Sequence, residues 1–227
     1  TYQKNLYADS TYYFLTVNQN AGLRLTSRQS LPASQDRLTV YPELIVHELD
    51  ETNIISSGRQ WVGESFSAGG NAIKRFTVET PGRQSGNIKL MSTVVGRSPA
   101  GSQFAVGLES GETLGEHVVE PYSDEIYGLK GRFDSQIFEG SIATAGNEAQ
   151  VSYSYTGSGI GHLDHFVLEY SRALAVGQET LIFRGQSDFS GARTFELSDI
   201  TENTLVWNIS ESTAPYQLDY SIESGKG

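Results

Sequence analysis

The chain has 227 residues, of which 37% are apolar and 11% aromatic, and its formal net charge is −11. A chain of this length buries roughly 70% of the surface that its unfolded form exposes, so it can build a core without disulfides or metal. The negative charge argues against nucleic acid as a partner, because affinity for phosphate groups depends on Lys and Arg. The absence of cysteine excludes disulfides, thiolate metal sites and a cysteine nucleophile within this chain.

The sequence carries no signal for membrane insertion. It has no run of about 18 apolar residues that could span a bilayer and no signal peptide, and its acidity disfavours an anionic lipid surface. Because the chain starts at Thr1 and ends in the polar stretch SIESGKG, we expect it to be a piece of a longer protein.

The first 66 residues are expected to form an N-terminal β arm or partial sheet. Residues 10–17, STYYFLTV, and 37–49, RLTVYPELIVHEL, have strand-like compositions. Pro42 interrupts the second segment and restricts it to an edge strand, a bulge or a linker, because proline cannot donate a backbone hydrogen bond. We expect this arm to pair with residues upstream of Thr1.

Residues 56–66, SSGRQWVGESF, could form an active site, a binding motif or a structural junction. We favour the structural junction, because tryptophan is commonly well buried. In that interpretation Trp61 is an apolar anchor between the arm and the following domain, and its burial stabilises the fold by several kcal/mol. Arg59 and Glu64 then satisfy each other or nearby backbone groups.

From residue 67 to residue 227 the sequence predicts an all-β domain, an antiparallel β-sandwich of the jelly-roll type. Apolar and polar residues alternate with the period of two that a half-buried strand requires. Breaks rich in glycine and serine, such as GRSPAGS at 96–102, separate these segments, as in other all-β sandwiches. The predicted strands are residues 72–80, 88–95, 103–108, 132–138, 149–155, 165–170 and 204–209.

Three motifs that could carry chemistry are better explained by structure. GSGIGH at 157–162 has three glycines, but a phosphate-binding loop requires a following helix, and the next residues predict a strand. His162, Asp164 and His165 could bind zinc only if they converged, and adjacent strand residues such as Asp164 and His165 point to opposite faces. No serine lies in a nucleophile-elbow pattern. The sequence therefore predicts no catalytic, cofactor-binding or metal-binding residue.

Acidic clusters and tyrosines leave an alternative function open. HELDET at 47–52 and SDEIY at 123–127 lack the spacing of a calcium loop and are expected to form a solvated acidic face. Carboxylate pairs that hydrolyse glycosides stay open, since their separation is set by the fold. The alternative is carbohydrate binding by a β-sandwich, in which Tyr122, Tyr127 and Tyr216 stack on sugars, although strand tyrosines are more often packed.

Several blocks of the sequence resemble one known family. They are NLYADSTYYFLTV (5–17), HELDETNIISSGRQWVGESF (47–66), LDHFVLEYSRAL (163–174), LIFRG (181–185) and TLVWNIS (204–210). Together they are similar to the N-terminal, non-catalytic portion of the PorU family, the gingipain-type cysteine peptidases that act as sortases of the bacterial type IX secretion system. Asn208 departs from the family, in which aspartate is frequent at this position.

The resemblance implies a non-catalytic region whose peptidase domain follows Gly227. No catalytic residue is carried over, because the catalytic Cys and His of the family belong to that domain. The resemblance also implies an exported protein of a Bacteroidetes-like bacterium, at the cell surface or associated with the outer membrane. Its implied partners are the downstream peptidase domain and other secretion-system components. We expect the contact with the peptidase domain to lie near residues 204–227, which include Trp207.

Overall fold

The computed structural model describes residues 14, 17, 22, 24–55, 60–108, 111–123, 125, 130–177, 180–185 and 193–222. Within these residues all regular structure is β-strand. The protein divides into two compact units. The larger unit comprises Val40–Ala173 and Phe183–Gln186, and the smaller comprises Thr1–Thr39, Leu174–Ile182 and Ser187–Gly227.

The described part of the chain contains strands that we number in sequence order. They are β1 (Thr26–Gln29), β2 (Arg37–Leu38), β3 (Val40–Glu48), β4 (Thr52–Asn53), β5 (Trp61–Val62), β6 (Ser65–Ser67), β7 (Ile73–Arg83), β8 (Gly86–Arg97), β9 (Ser102–Leu108), β10 (Glu112–Val119), β11 (Arg132–Ile142), β12 (Gly146–Gly157), β13 (Ile160–Ala173), β14 (Thr194–Phe195), β15 (Val206–Asn208) and β16 (Tyr216–Asp219).

The larger unit is built on an antiparallel sheet with the strand order β10-β9-β12-β7-β13-β8-β11, and β13 also pairs with β3 and β6. β7 and β13 pair at Arg83 and Arg172. At this point the sheet divides into two layers, β10-β9-β12-β7 and β3-β13-β8-β11, which face each other. The observed sheet confirms the all-β, antiparallel sandwich-like fold predicted from the alternation.

The core lies between these two layers. Val151, Tyr153 and Tyr155 of β12 are buried, whereas Ser152 and Ser154, which alternate with them, are partly exposed. This is the period-two pattern of a strand with one face in a core. Equivalent inward positions of the other long strands complete one apolar cluster that spans both layers.

Phe166 of β13 packs against aromatic rings of the opposite layer. Its ring is fully buried and lies 5.8 Å from Phe76 of β7 and 6.2 Å from Tyr153 of β12, measured between ring centroids. His47 of β3 stacks on the same ring at 4.9 Å and an interplanar angle of 17°. Burial of such a ring against other rings stabilises the fold more than its buried area alone would.

The glycine motif GSGIGH connects β12 of one layer to β13 of the other. A Cβ at Gly161 would lie 2.5 Å from Phe104 Cζ and 2.6 Å from Tyr155 Cε2, so the missing side chain makes room for these two core rings. A Cβ at Gly159 would meet the carbonyl of Arg97. The motif is followed by a strand, as predicted, and its glycines serve close packing.

The grouping of the strands differs from the division into residues 1–66 and 67–227 that we expected from the sequence. Residues 40–66 lie in the larger unit, because β3 pairs with β13 along its length and β6 pairs with the start of β13. Pro42 lies opposite Ser171 in a strand that pairs on one side with β13, which fits the predicted edge position. Of the segment 10–17, only Phe14 and Val17 are described.

The smaller unit contains a sheet with the order β1-β16-β15 and a second pair formed by β14 and β2. β1 and β16 are parallel, and β15 and β16 are antiparallel. The predicted strand at 204–209 is therefore present as β15, but it belongs to this unit and not to the sandwich. In the part of the chain that the structure describes, no helix has the length and apolarity needed to cross a membrane.

We expect Phe166→Ala to lower the free energy of unfolding by about 3–5 kcal/mol, because it leaves a cavity between the two layers. Phe133→Ala is the matched control, since Phe133 is 46% exposed and should cost about 0.5 kcal/mol or less. Urea denaturation measures both. Equal losses in the two variants would contradict this description of the core.

Candidate functional site

Four side chains form a continuous hydrogen-bonded network in the core of the larger unit. Tyr153 OH lies 2.7 Å from Ser92 Oγ, and Ser92 Oγ lies 3.0 Å from His117 Nε2. His117 Nδ1 lies 2.7 Å from Asp134 Oδ2. We call these four residues the buried network. They come from β12, β8, β10 and β11, so the network joins strands of both layers.

The strand register explains why these residues meet. Ser92 lies between Leu90 and Val94 on the inward face of β8, and the intervening residues point outward. Asp134 of β11 pairs with Val94 and therefore also faces inward. A polar residue at an inward position of a strand is the signal by which sequence reasoning could have found the network.

A neutral imidazole allows every hydrogen bond of the network to form. The Asp134 carboxylate accepts a hydrogen bond from His117 Nδ1–H, so Nε2 is free to accept from the Ser92 hydroxyl. Ser92 Oγ in turn accepts from the Tyr153 hydroxyl. Protonating Nε2 would place a donor against Ser92 Oγ, so the hydroxyl hydrogen of either Ser92 or Tyr153 would lose its acceptor in this network.

The protonation states fit this arrangement. Burial lowers the pKa of His117, although the hydrogen bond and the charge of Asp134 act in the opposite direction. Burial also raises the pKa of Tyr153, which keeps its hydroxyl protonated and able to donate. At neutral pH the network therefore holds a neutral histidine between a carboxylate and two hydroxyl groups.

Ser92, His117 and Asp134 are connected in the order of a Ser–His–Asp triad, but their setting does not suit acyl transfer. A nucleophilic serine must reach a substrate carbonyl next to oxyanion donors. Ser92 is 3% exposed, and its oxygen already contacts the hydroxyl of Tyr153, which is fully buried. The geometry thus supports a structural role, in which polar groups of both layers satisfy one another.

Glu64, one of the predicted junction residues, pairs with a histidine. Its Oε1 accepts a hydrogen bond from His47 Nε2 at 2.8 Å, while its Oε2 is buried and has no partner within the described residues. Burial acts to raise the pKa of Glu64, but the hydrogen bond and charge of His47 and the charge of Lys74 outweigh it, so the pKa is lowered. Arg59, the predicted partner, lies outside the described residues.

Trp61 is not the buried anchor that the sequence suggested. Its side chain is 43% exposed, whereas Val62 and Phe66 are fully buried. β5 contains only Trp61 and Val62, and adjacent strand residues point to opposite faces, so burial of Val62 turns Trp61 outward. Val62 and Phe66 are therefore the apolar anchors of this segment.

Trp207, the remaining junction candidate, lies in an exposed apolar strip of the smaller unit. Leu205, Trp207 and Ile209 are 61%, 52% and 52% exposed. Trp207 is the central residue of β15, and Leu205 and Ile209 are the residues directly before and after this strand. β15 is at the edge of its sheet, with β16 on one side. We call these three residues the edge strip.

His162 lies apart from the contact that Asp164 and His165 make with each other. His162 is 3% exposed, and its Nδ1 lies 3.4 Å from the Gly63 carbonyl. His165 Nδ1 contacts Asp164 Oδ2 at 2.7 Å, which the sequence argument did not expect of adjacent residues. A register shift in β13 between Leu163 and His165 brings them together. No group of three potential ligands converges in the described part of the chain.

Two of the three tyrosines of the carbohydrate-binding alternative are described, and neither is fully open to solvent. The Arg28 guanidinium lies 4.1 Å from the centroid of the Tyr216 ring and so covers one of its faces. Tyr122 is partly buried. Tyr127 lies outside the described residues.

No family model and no curated protein matches the sequence. A solved structure with a similar fold is that of dimeric latent PorU from Porphyromonas gingivalis, with a TM-score of 0.75 and 18% sequence identity. The similarity covers 90% of this chain and 20% of the PorU chain. This chain thus has a fold that is also found in PorU, and it spans about one fifth of the length of that protein.

Two carbohydrate-binding modules have much lower scores. A family 35 module from Clostridium thermocellum has a TM-score of 0.32 and 12% identity, over 57% of this chain and 95% of the module. The C-terminal CBM6 of LamC from Zobellia galactanivorans has a TM-score of 0.30 and 18% identity, over 56% of this chain and 98% of the module.

We expect Ser92→Ala to destabilise the fold by about 1–3 kcal/mol, because it leaves the His117 and Tyr153 groups without their partner. Ser135→Ala is the control, since the hydroxyl of Ser135 bonds Thr93 at an exposed position. Chemical denaturation measures both variants. Hydrolysis of p-nitrophenyl esters by the unaltered protein that disappears in Ser92→Ala would contradict the structural role.

The pH dependence of stability tests the neutral state of His117. Burial lowers the pKa values of His117 and His162 below the ordinary value of 6.5. Below that pH the unfolded chain binds more protons at these histidines than the folded chain does, so their contribution to stability is complete above it and is lost as the pH falls. We expect His117→Asn to flatten this loss in urea titrations between about pH 7 and about pH 5.

His165→Asn is the control of opposite sign. The hydrogen bond of Asp164 raises the pKa of His165, so the stability from this residue is present below the unfolded pKa and is lost as the pH rises through the folded pKa. We therefore expect His165→Asn to make the loss of stability toward low pH steeper than in the unaltered protein. An identical slope in the unaltered protein and in His117→Asn would refute the proposed protonation state.

Proposed function

We propose that this chain is a non-catalytic β module of a PorU-like cell-surface peptidase, in which it supports or positions the catalytic domain in type IX secretion. The similarity to one fifth of PorU supports a module of a larger protein. The buried setting of Ser92 and His117 supports a structural role for their hydrogen bonds. In this proposal the protein is exported to the bacterial surface, and the peptidase domain of the same polypeptide is the main partner, with other secretion-system components as further partners.

The observation that carries the proposal is the edge strip of Leu205, Trp207 and Ile209. Each of these large apolar side chains is more than half exposed. Exposed apolar groups that lie together mark interaction sites, and tryptophan is enriched among the residues that dominate binding energy. The strip lies within residues 204–227, where the sequence predicted the contact with the peptidase domain.

The strand that carries the strip also suits a contact with another domain. An edge strand presents backbone N–H and C=O groups on its free side, which proteins usually cover or protect. A neighbouring domain that packs on the strip would cover both the apolar side chains and this edge. Contacts between domains bury about 600–1,500 Å² and are more polar than permanent interfaces, so the strip would supply only the apolar part of such a contact.

The test is Trp207→Ala in the complete gene product that contains this chain. We expect the catalytic domain to become more sensitive to limited proteolysis and to unfold at a lower temperature, because the variant removes the largest side chain of the contact. Trp61→Ala is the matched control, since Trp61 is also exposed, at 43%, but lies outside the strip. The isolated 227-residue chain carrying Trp207→Ala should keep its own stability.

Two outcomes would count against the proposal. Equal protease sensitivity in Trp207→Ala, Trp61→Ala and the unaltered protein would show that the strip does not contact the catalytic domain. Saturable binding of the isolated chain to a glycan array, together with a catalytic domain that is equally stable without this region, would favour the carbohydrate-binding alternative.

A further inference from the structure

β7 has a long side that no other strand of the described chain covers. It pairs with β12 from Ile73 to Arg83, whereas its other side pairs with β13 only at Arg83. Within the described residues, the backbone of β7 before Pro81 is therefore unpaired on this second side. We call residues 73–79 on this side the open edge.

The register of β7 identifies the backbone groups that point to the open edge. The Tyr155 N–H donates to the Ala72 carbonyl at 2.7 Å, and the next pair is Ile73 with Ser154. In an antiparallel ladder, every second residue exchanges hydrogen bonds with a given neighbour, so from Ala72 onward the even-numbered residues bond β12. The alternate residues direct their N–H and C=O groups to the free side. They are Ile73, Arg75, Thr77 and Glu79.

The open edge lacks most of the features that protect an exposed strand. Edge strands are commonly blocked by proline, interrupted by a bulge or kept very short. The pairing of β7 with β12 is regular from Ile73 to Glu79, and Pro81 comes only after this stretch. β3, the edge strand of the opposite layer, contains Pro42. Unpaired backbone of this length is a template for a further strand.

Two cations at the start of the open edge select which chain can pair with it. Arg75 is exposed, and Lys74, on the opposite face of the strand, is partly exposed. Within the described residues neither forms an ion pair. Glu64, which feels the charge of Lys74, is hydrogen-bonded to His47. Opposite charges on neighbouring strands attract and like charges repel, so the open edge favours an acidic strand.

The space between the layers beside the open edge suits an apolar side chain. Phe76 lies on the same face of β7 as Lys74 and is only partly buried. Its ring centroid is 4.8 Å from that of His47, which is also partly exposed on β3. Successive side chains of an added strand would point alternately to the two faces of the layer. Such a strand can therefore cover Phe76 with one residue and place carboxylates beside the two cations.

We infer that the open edge binds an extended acidic segment of a partner protein as an additional strand. Backbone hydrogen bonds to Arg75 and Thr77 supply affinity in this arrangement, as in other cases of strand addition. Carboxylates beside Lys74 and Arg75, with an apolar residue beside Phe76, supply selectivity. The contact is independent of the edge strip, which belongs to the smaller unit.

Fluorescence anisotropy of a labelled peptide, titrated with the 227-residue chain, tests the inference. The probe is a peptide of about eight residues that alternates valine and threonine and ends in a pair of aspartates. We expect saturable binding with a dissociation constant of about 10 to about 500 μM. The same peptide with lysines in place of the aspartates should bind at least about tenfold more weakly. Non-specific attraction would give the opposite order, because the net charge of the chain is −11.

Thr77→Pro tests the backbone pairing. It removes an N–H that faces the free side and leaves the hydrogen bonds to β12 in place. We expect it to weaken binding of the acidic probe by at least about tenfold. Thr77→Val is the matched control, because valine keeps the N–H and is favoured in strands. Thermal unfolding of both variants identifies any loss of fold.

Arg75→Glu tests the charge selection and does not depend on how well the strand accepts proline. It should weaken binding of the acidic probe and strengthen binding of the lysine probe, because it reverses one of the two charges at the open edge. Arg132→Glu is the matched control. Arg132 is an exposed arginine on β11, so its replacement changes the net charge equally and should leave both affinities unchanged.

Each result decides for or against the inference. Binding of the acidic probe that Thr77→Pro and Arg75→Glu weaken, and that the matched variants preserve, supports strand addition at the open edge. Absence of saturable binding up to about 1 mM overturns it. Equal binding by folded Thr77→Pro and Thr77→Val, equal binding by Arg75→Glu and Arg132→Glu, or tighter binding of the lysine probe to the unaltered protein also overturns it.

Discussion

The backbone pairing of β13 is the interaction on which the larger unit depends. This strand of 14 residues pairs with β8 on one side and with β3 and β6 on the other, and it meets β7 where the sheet divides into layers. Its inward residues Phe166, Leu168 and Tyr170 fill the core. Its outward residues Val167 and Glu169 lie on the outer face of the layer. Since one strand supplies both faces, a shift of its register by one residue would exchange them.

The buried network shows why an arrangement of side chains has to be judged by its surroundings. The distances between Ser92, His117 and Asp134 are those of a working triad, yet Tyr153 satisfies the serine from within the core. Buried polar groups are costly unless each has a partner, and here every hydrogen-bonding atom in the line from carboxylate to phenol has one. The hydrogen-bonding capacity of these residues is thus used within the core.

Much of the fold could be predicted from the sequence, because alternation reports which residues of a strand face the core. Most of the long strands that begin between residues 72 and 170 follow from it, but β10, which carries His117, was not predicted. The buried network could not be predicted in this way, because its four residues are far apart in sequence and meet only through the pairing register of their strands. The outward position of Trp61 depends on the burial of Val62, and the contact between Asp164 and His165 depends on a register shift. Local residue preferences encode neither feature.

The central claim is that the edge strip meets another domain of the same protein. Hydrogen exchange of residues 204–209 tests it most directly, when the isolated chain is compared with the complete gene product. The account predicts slower exchange of these amides in the complete protein, because a packed domain covers β15 and its free edge. Equal exchange rates in the two forms would contradict it.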